Sequence, residues 1–226
     1  ILHKLSCSTK KSHYLDTVKK AKNYILAGDC YQINYAQHFS GSAKKDSWKI
    51  YKDLRIRMAA PYGCYYQLGK TKQAILSFSP ERFLKLKGGQ VITQPIKGTV
   101  SRGKNSQEDT IKAKALIDSE KNKAENLMIV DLLRNDLSKN CKLGSVKTPE
   151  LFKLESFKNV HHLVRTVTGI IKDTATPLTL LRDCFPGGSI TGAPKKRVME
   201  IIDELELCKR SVYCGSIGYI SANGLM

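Results

Sequence analysis

Nothing in these 226 residues approaches the roughly 20 consecutive apolar residues of a bilayer-spanning helix, so no membrane partner is expected. No Cys-x-x-Cys pair occurs. The seven cysteines, an odd number, are scattered singly and mostly flanked by apolar residues, which argues against a disulfide framework or a zinc site. Reduced, buried thiols in the cytoplasm are the expectation. There is no initiator Met, and Ile1–Ser12 is short, basic and without an apolar centre, so it does not read as a signal peptide. Both ends read as cuts in a longer polypeptide. Acidic residues are scarce: 20 Asp and Glu stand against 38 Lys and Arg, giving a net charge of +18. Such a balance raises the question of nucleic acid. The lysines are spread evenly, however, and no basic run carries interleaved aromatics. A solvated lysine-rich surface is expected instead, with no nucleic-acid partner. No internal repeat and no low-complexity linker breaks the chain.

What is present is a normal apolar content, 41% of residues, and clear punctuation. Ser12 is placed to cap a helix to about Ala27, with Leu15, Val18, Lys22 and Ile25 on one stripe and Gly28 as the stop. Ile33, Tyr35, Gln37 and Phe39 alternate with Asn34, Ala36 and His38, which predicts a strand. Asp46 caps a second helix through Trp48, Tyr51, Leu54 and Met58. Strands are predicted at 62–68, 73–78, 82–86 and 91–96, joined by tight turns such as Gly88-Gly89. Residues 107–137 read as two helices broken near Ser119. A strand-like segment at 144–147 and a β-rich run at 160–171 follow, then a short helix at 178–184. A Gly-rich loop at 186–194 leads into a helix at 194–205, and a last strand is predicted at 215–221. Antiparallel strands in runs, with helices in separate runs, define an α+β domain: largely antiparallel sheets with flanking helices.

Five stretches carry candidate chemistry. In Ile92-Thr93-Gln94-Pro95-Ile96-Lys97-Gly98-Thr99, Pro95 lacks an amide donor and marks a break in a strand ladder, and Gly98 permits a sharp turn or a close approach. Lys97 therefore sits where a strand opens and can present one amine; the plain alternative is a surface lysine in a turn. Ser79-Pro80-Glu81-Arg82 puts a carboxylate at a sheet rim, either as an acid or as a surface pair with Arg82. In Ala124-Glu125-Asn126, Glu125 falls near the apolar boundary of a helix, fit either for solvent or for one bond to Mg²⁺, which takes one or two carboxylates plus water and substrate oxygens. Helical spacing puts Leu127, Val130 and Arg134 on one line. The adjacent His161 and His162 point to opposite faces of a strand, so at most one is expected inward. Residues 186–195 form a glycine-rich loop opening a helix, an arrangement that favours an anion. It has neither Walker nor dinucleotide spacing.

Taken together, the Gly28–Asn34, Ser79–Phe83, Ala124–Asp136, Gly144–Val146 and Phe185–Lys195 segments, in that order, resemble the chorismate-utilising enzymes. That family includes anthranilate synthase component I, isochorismate and salicylate synthases, and aminodeoxychorismate synthase component I. The resemblance implies that residues 1–226 are part of a single chorismate-binding catalytic domain, truncated at both ends, within the family's sandwich. Lysine before Gly98-Thr99, where anthranilate synthases carry alanine, resembles the aminodeoxychorismate synthase branch. Ala124-Glu125-Asn126 and His161-His162-Leu163 agree with it.

That resemblance implies amination of chorismate at C4 for p-aminobenzoate and folate synthesis, with ammonia from a glutamine amidotransferase partner. By it, Lys97 is the nucleophile at C2, Glu81 the acid for the departing hydroxyl, and Glu125 a ligand of Mg²⁺. Gly98, Thr99, His162, Ser189 and Tyr213 fall on positions that line the substrate pocket. The chemistry needs an uncharged amine, and holding a free lysine neutral at pH 7 costs roughly 4–5 kcal/mol. Burial against an apolar wall lowers that cost. Two departures are visible: Asn122 stands where relatives often have Asp or Glu, and Gln94 where Arg is common. The family's second metal glutamate falls beyond Met226, so the 226-residue piece by itself is expected to be inactive or very weak. The alternatives are anthranilate synthase component I on the same scaffold and a non-catalytic basic nucleic-acid-binding domain.

Overall fold

The structure, a computed structural model, describes residues 2–226, with the backbone course alone for residues 2–4 and 150–152. In chain order the elements are β1 (Leu2–Cys7), α1 (Lys11–Leu26), β2 (Gln32–Ile33), β3 (Phe39–Ala43), α2 (Ser47–Met58), β4 (Tyr62–Gln67), β5 (Ala74–Ser79), β6 (Arg82–Lys87), β7 (Gln90–Gln94) and β8 (Ile96–Ser101). Then come α3 (Ser106–Asp118), α4 (Glu120–Ser138), β9 (Lys147–Ser156), β10 (Val160–Ile170), α5 (Pro177–Cys184), α6 (Gly188–Thr191), β11 (Gly192–Ala193) and α7 (Lys195–Leu205). The expected α+β class is what is seen, and every named strand pairing is antiparallel.

The main sheet has five strands, β6, β7, β8, β9 and β10. β10 is its axis. β7 pairs with its C-terminal half and β8 with its N-terminal half, while β9 pairs along residues 161–168. β7 and β8 thus run as one line along the same side of β10, broken at Pro95, which lacks an amide donor and is fully buried. The pairing of β8 slips at one point: Thr99 faces His162 and Ile96 faces Val164, so Lys97 and Gly98 together oppose Leu163. Two residues against one is a β-bulge, a device that re-aims a side chain. Gly98 sits there at φ +94°, in the region that favours glycine.

One face of this sheet packs on α4 and α5, giving a core of Leu86, Val91, Val167, Ile129, Leu133 and Leu180 with their neighbours. A second core joins α1 to α7 through Ala21, Cys30, Val198, Ile201, Ile202 and Leu205. Local signals held at the starts of α2 and α4. Asp46 accepts from the Lys49 amide at 2.9 Å, and Ser119 divides α3 from α4, accepting from the Asn122 amide at 3.3 Å. At Gly192, φ is +142° and a Cβ would lie 2.0 Å from the Gln32 carbonyl oxygen, so only glycine permits the β11–β2 pairing.

Several expectations are corrected. α1 starts after Lys10 with no side-chain cap, not at Ser12. Its buried positions are Thr17 and Ala21, while Leu15 and Ile25 are exposed. The stripe was misjudged because the helix meets α7 along its small residues. The predicted strand over 33–39 shrinks to β2, and Asn34–His38 lie outside any strand. β9 runs from Lys147 to Ser156, beyond the predicted 144–147, because its partner is the distant β10. On α4 the buried line is Asn126, Ile129, Val130, Leu133 and Leu137, whereas Leu127 is exposed. Residues 215–221 form no strand, and Ile217 and Tyr219 lie exposed. All seven cysteines are free thiols, but only Cys30, Cys141 and Cys184 are buried. No helix among the described residues is long and apolar enough to cross a membrane.

Candidate active site

Lys97 leaves β8 at the bulge, half-buried, and its Nζ donates to the Ser189 carbonyl oxygen at 2.9 Å. Glu81, in the turn between β5 and β6, approaches from the other side. Its Oε2 accepts from the Ile96 amide at 3.3 Å, and its Oε1 accepts a short hydrogen bond from the Ser189 hydroxyl. Ser189 lies on α6 inside the glycine-rich loop, so one residue touches both the amine and the acid. The surface pair with Arg82 does not form: Arg82 donates to Gln94 Oε1 at 3.0 Å and to the Tyr62 hydroxyl at 3.1 Å. Gln94 is therefore a working acceptor.

Burial shifts both groups toward their uncharged forms. Burial pushes the Lys97 amine below its ordinary value, against the negative charges of Glu81 and Glu125. Burial likewise pushes the Glu81 carboxyl up, against the Ser189 hydroxyl, the Ile96 amide and the Lys97 charge. A neutral amine beside a protonated acid is the pairing that nucleophilic attack with general-acid assistance needs. The raised Glu81 value also has a consequence for stability. A carboxyl that holds its proton more tightly when folded contributes stability below its unfolded value of about 4.5, and this is lost as pH rises through the folded value. Glu81→Gln removes that loss. The thermal midpoint of the variant, relative to the parent, is expected to rise as pH increases from about 4.5 and to level off above the folded value; a difference that stays flat as pH rises from about 4.5 rejects the assignment.

Thr99 and His162 form a second pair across the β8–β10 ladder. The Thr99 hydroxyl and His162 Nδ1 are 2.8 Å apart, and the His162 ring meets Phe157 edge-on at 5.4 Å. Burial lowers the His162 pKa, against the negative charge of Glu155. Contrary to expectation, His161 is buried as well as His162, at 3% and 8% exposure. β10 is covered on both faces: His161 Nε2 lies 3.0 Å from Asp109 on α3, and its Nδ1 lies 2.8 Å from the Ser156 hydroxyl. Tyr213 lies in the turn at residues 211–214, after α7. It is 60% exposed, 5.9 Å beneath the Arg210 guanidinium, and meets Ser189 only as part of the wall of one cavity.

Glu125 is half-exposed on α4, 3.8 Å from Lys121 and near enough to Lys97 for their charges to be felt. No group of three or more His, Cys, Asp or Glu among the described residues is placed to hold a metal ion. Glu125 thus fits as one hard oxygen ligand, not as a complete protein site. Sequence reasoning passed over Asn126, the next residue. It is 1% exposed, and its Nδ2 donates to the Lys97 carbonyl at 2.9 Å and to the Asn122 carbonyl at 2.9 Å. The available signal was a polar residue in step with the buried line of α4.

Comparison with known proteins agrees with this geometry. The family model described as chorismate binding enzyme matches residues 2–226. Aminodeoxychorismate synthase component 1 of Salmonella typhimurium is 48% identical over 216 residues, covering 96% of this chain and 47% of that protein. Anthranilate synthase component 1 of Aquifex aeolicus is 40% identical, covering 96% of this chain and 43% of its own length. The crystal structure of anthranilate synthase component I from Streptococcus pneumoniae superposes with a TM-score of 0.89 at 34% identity, covering all of this chain and 49% of that one. The chain spans about half the length of the curated relatives it matches. With a family model matched across 225 of its residues and a fold shared with that crystal structure, this chain belongs to the chorismate binding enzymes.

Proposed function

We propose that this chain is part of an aminodeoxychorismate synthase, which replaces the C4 hydroxyl of chorismate by an amino group. The observation that carries the reading is the Lys97 amine, half-buried on the bulge, hydrogen-bonded to Ser189 and next to the acid Glu81. The relative of higher identity among the two named above bears that activity in its name. The neutral Nζ attacks C2 of the ring, the conjugated π electrons shift, and the C4–O bond breaks as Glu81 delivers its proton to the departing hydroxyl, which leaves as water. Ammonia then forms the C4–N bond, the π electrons return, the Nζ–C2 bond breaks to release neutral Lys97, and the new C4 ammonium returns one proton to the Glu81 carboxylate. General-acid help of this kind is worth about 10²–10⁴ in rate.

The remaining roles follow the same reading. Gly98 lets β8 bulge so that Lys97 is aimed inward, and Thr99, His162 and Ser189 offer hydrogen-bonding groups to the substrate. Tyr213 takes a place at the rim. Glu125 would be one ligand of Mg²⁺, which when bound neutralises a substrate carboxylate. A glutamine amidotransferase partner supplies ammonia, in keeping with the words "component 1" in the relative's name. Seven free thiols suit a cytoplasmic protein. Product analysis tests the reading in the full-length chain supplied with chorismate, ammonia and Mg²⁺. The C4-aminated product is expected, which yields p-aminobenzoate only after a lyase is added. Direct appearance of anthranilate assigns the chain to the other branch.

A further inference from the structure

We propose that Asn126 is a positioning residue for Lys97: its amide N–H grips the Lys97 carbonyl at the β8 bulge and so fixes the direction in which the amine leaves the sheet. The inference rests on the reading of Lys97 as nucleophile. The ladder between β8 and β10 is interrupted at Lys97 and Gly98, which share a single opposing residue, Leu163. A carbonyl at such a break needs another donor if it is shielded from water. Asn126 on α4 supplies it at 2.9 Å, and the same Nδ2 also bonds the Asn122 carbonyl. Two carbonyl acceptors on one side decide the orientation of the amide, since the flipped form would set Oδ1 against both oxygens. The bulge is held from α3 and α4 besides. A Cβ on Gly98 would lie 3.1 Å from Leu116 and 3.2 Å from the Asn122 side chain.

Asn126 retains an unmet need. Its Oδ1 is buried and has no hydrogen-bond partner among the described residues. A buried acceptor left unpaired is costly, and natural chains keep such costs where a geometry must be enforced. A leucine at this place would suit the apolar line of Ile129, Val130 and Leu133 without that cost. What leucine cannot do is hold the bulge. Lys97 must reach Ser189 and Glu81 from one backbone position, and near-attack geometry is lost with displacements of about 1 Å.

The test uses Asn126→Leu and the isosteric Asn126→Asp in the full-length chain with chorismate and ammonia. For folded variants the expected result is a roughly 10²-fold fall in kcat with KM for chorismate held, the mark of a misplaced reacting group. Hydrogen exchange is expected to quicken at residues 96–99 while the rest of α4 and β10 keep their protection. Folded variants with unchanged kcat overturn the proposal, as does a rise in KM alone. If neither variant folds, Asn126 belongs to helix packing and the proposal is likewise overturned. A parent enzyme that makes a different product refutes the proposed function but leaves the kcat comparison decisive here. A parent that consumes no chorismate leaves the exchange at 96–99 to decide, and unchanged exchange overturns the positioning role.

Discussion

Lys97→Ala in the full-length chain removes formation of the C4-aminated product, with turnover to it falling by a factor on the order of 10³ or more. The size of the effect follows from what the side chain contributes. Its amine is the only one shown beside Glu81 in the described site, held through Ser189 and kept toward its neutral form by burial. Alanine leaves Glu81 and Ser189 in place but supplies no nucleophile for C2. The opened space allows ammonia itself to reach that carbon, so residual turnover is expected to shift toward C2 amination. Chorismate consumption and the identity of products, followed together, check both statements. Turnover to the C4 product at the parental rate ends the nucleophile assignment.

The largest stability effect is expected at Asp136. Its side chain is 2% exposed and its Oδ2 lies 2.5 Å from Lys195 Nζ, itself 14% exposed. Lys195 also donates to the Cys184 carbonyl at 2.8 Å, and Lys139 lies 3.5 Å from the other carboxylate oxygen. One buried ion pair therefore ties the end of α4 to the start of α7 and the end of α5. Asp136→Ala strands the Lys195 ammonium in a dry place. Removing one partner of such a pair costs about 3–5 kcal/mol. The double variant Asp136→Leu with Lys195→Met removes both charges and is expected to recover much of that loss, since well-packed apolar replacements of buried pairs are often neutral. Urea unfolding of the single and double variants measures the coupling. A single variant within about 1 kcal/mol of the parent contradicts the assignment. The α5–α7 connection carries Ser189, so the same variant is expected to slow turnover as well.

The site was legible in the sequence to the extent that it is local. Pro95, Lys97 and Gly98 announced a broken strand with an amine at the break, and the break is where β7 gives way to β8. Glu81 after Ser79-Pro80 read as a carboxylate at a sheet rim, and it lies in the turn between β5 and β6. Two histidines in a row could not be read correctly, because alternation says that they face opposite ways but not that both faces are covered. Tyr213 was placed by resemblance alone, and its exposure leaves it at the rim. Asn126 was passed over because its importance lies in a carbonyl 29 residues earlier.

From the chain alone came the α+β class, the helix cap at Asp46, the helix break near Ser119 and the hairpin turns. These depend on neighbours a few residues apart, where backbone sterics and side-chain capping dominate. The pairing of β9 with β10, the short residues that α1 turns inward, the bulge at Lys97 and the downward shift of the Lys97 pKa and upward shift of the Glu81 pKa were decided only by the tertiary structure. Each depends on burial by segments distant in sequence, and burial is what changes the energy of a charge or an unpaired carbonyl.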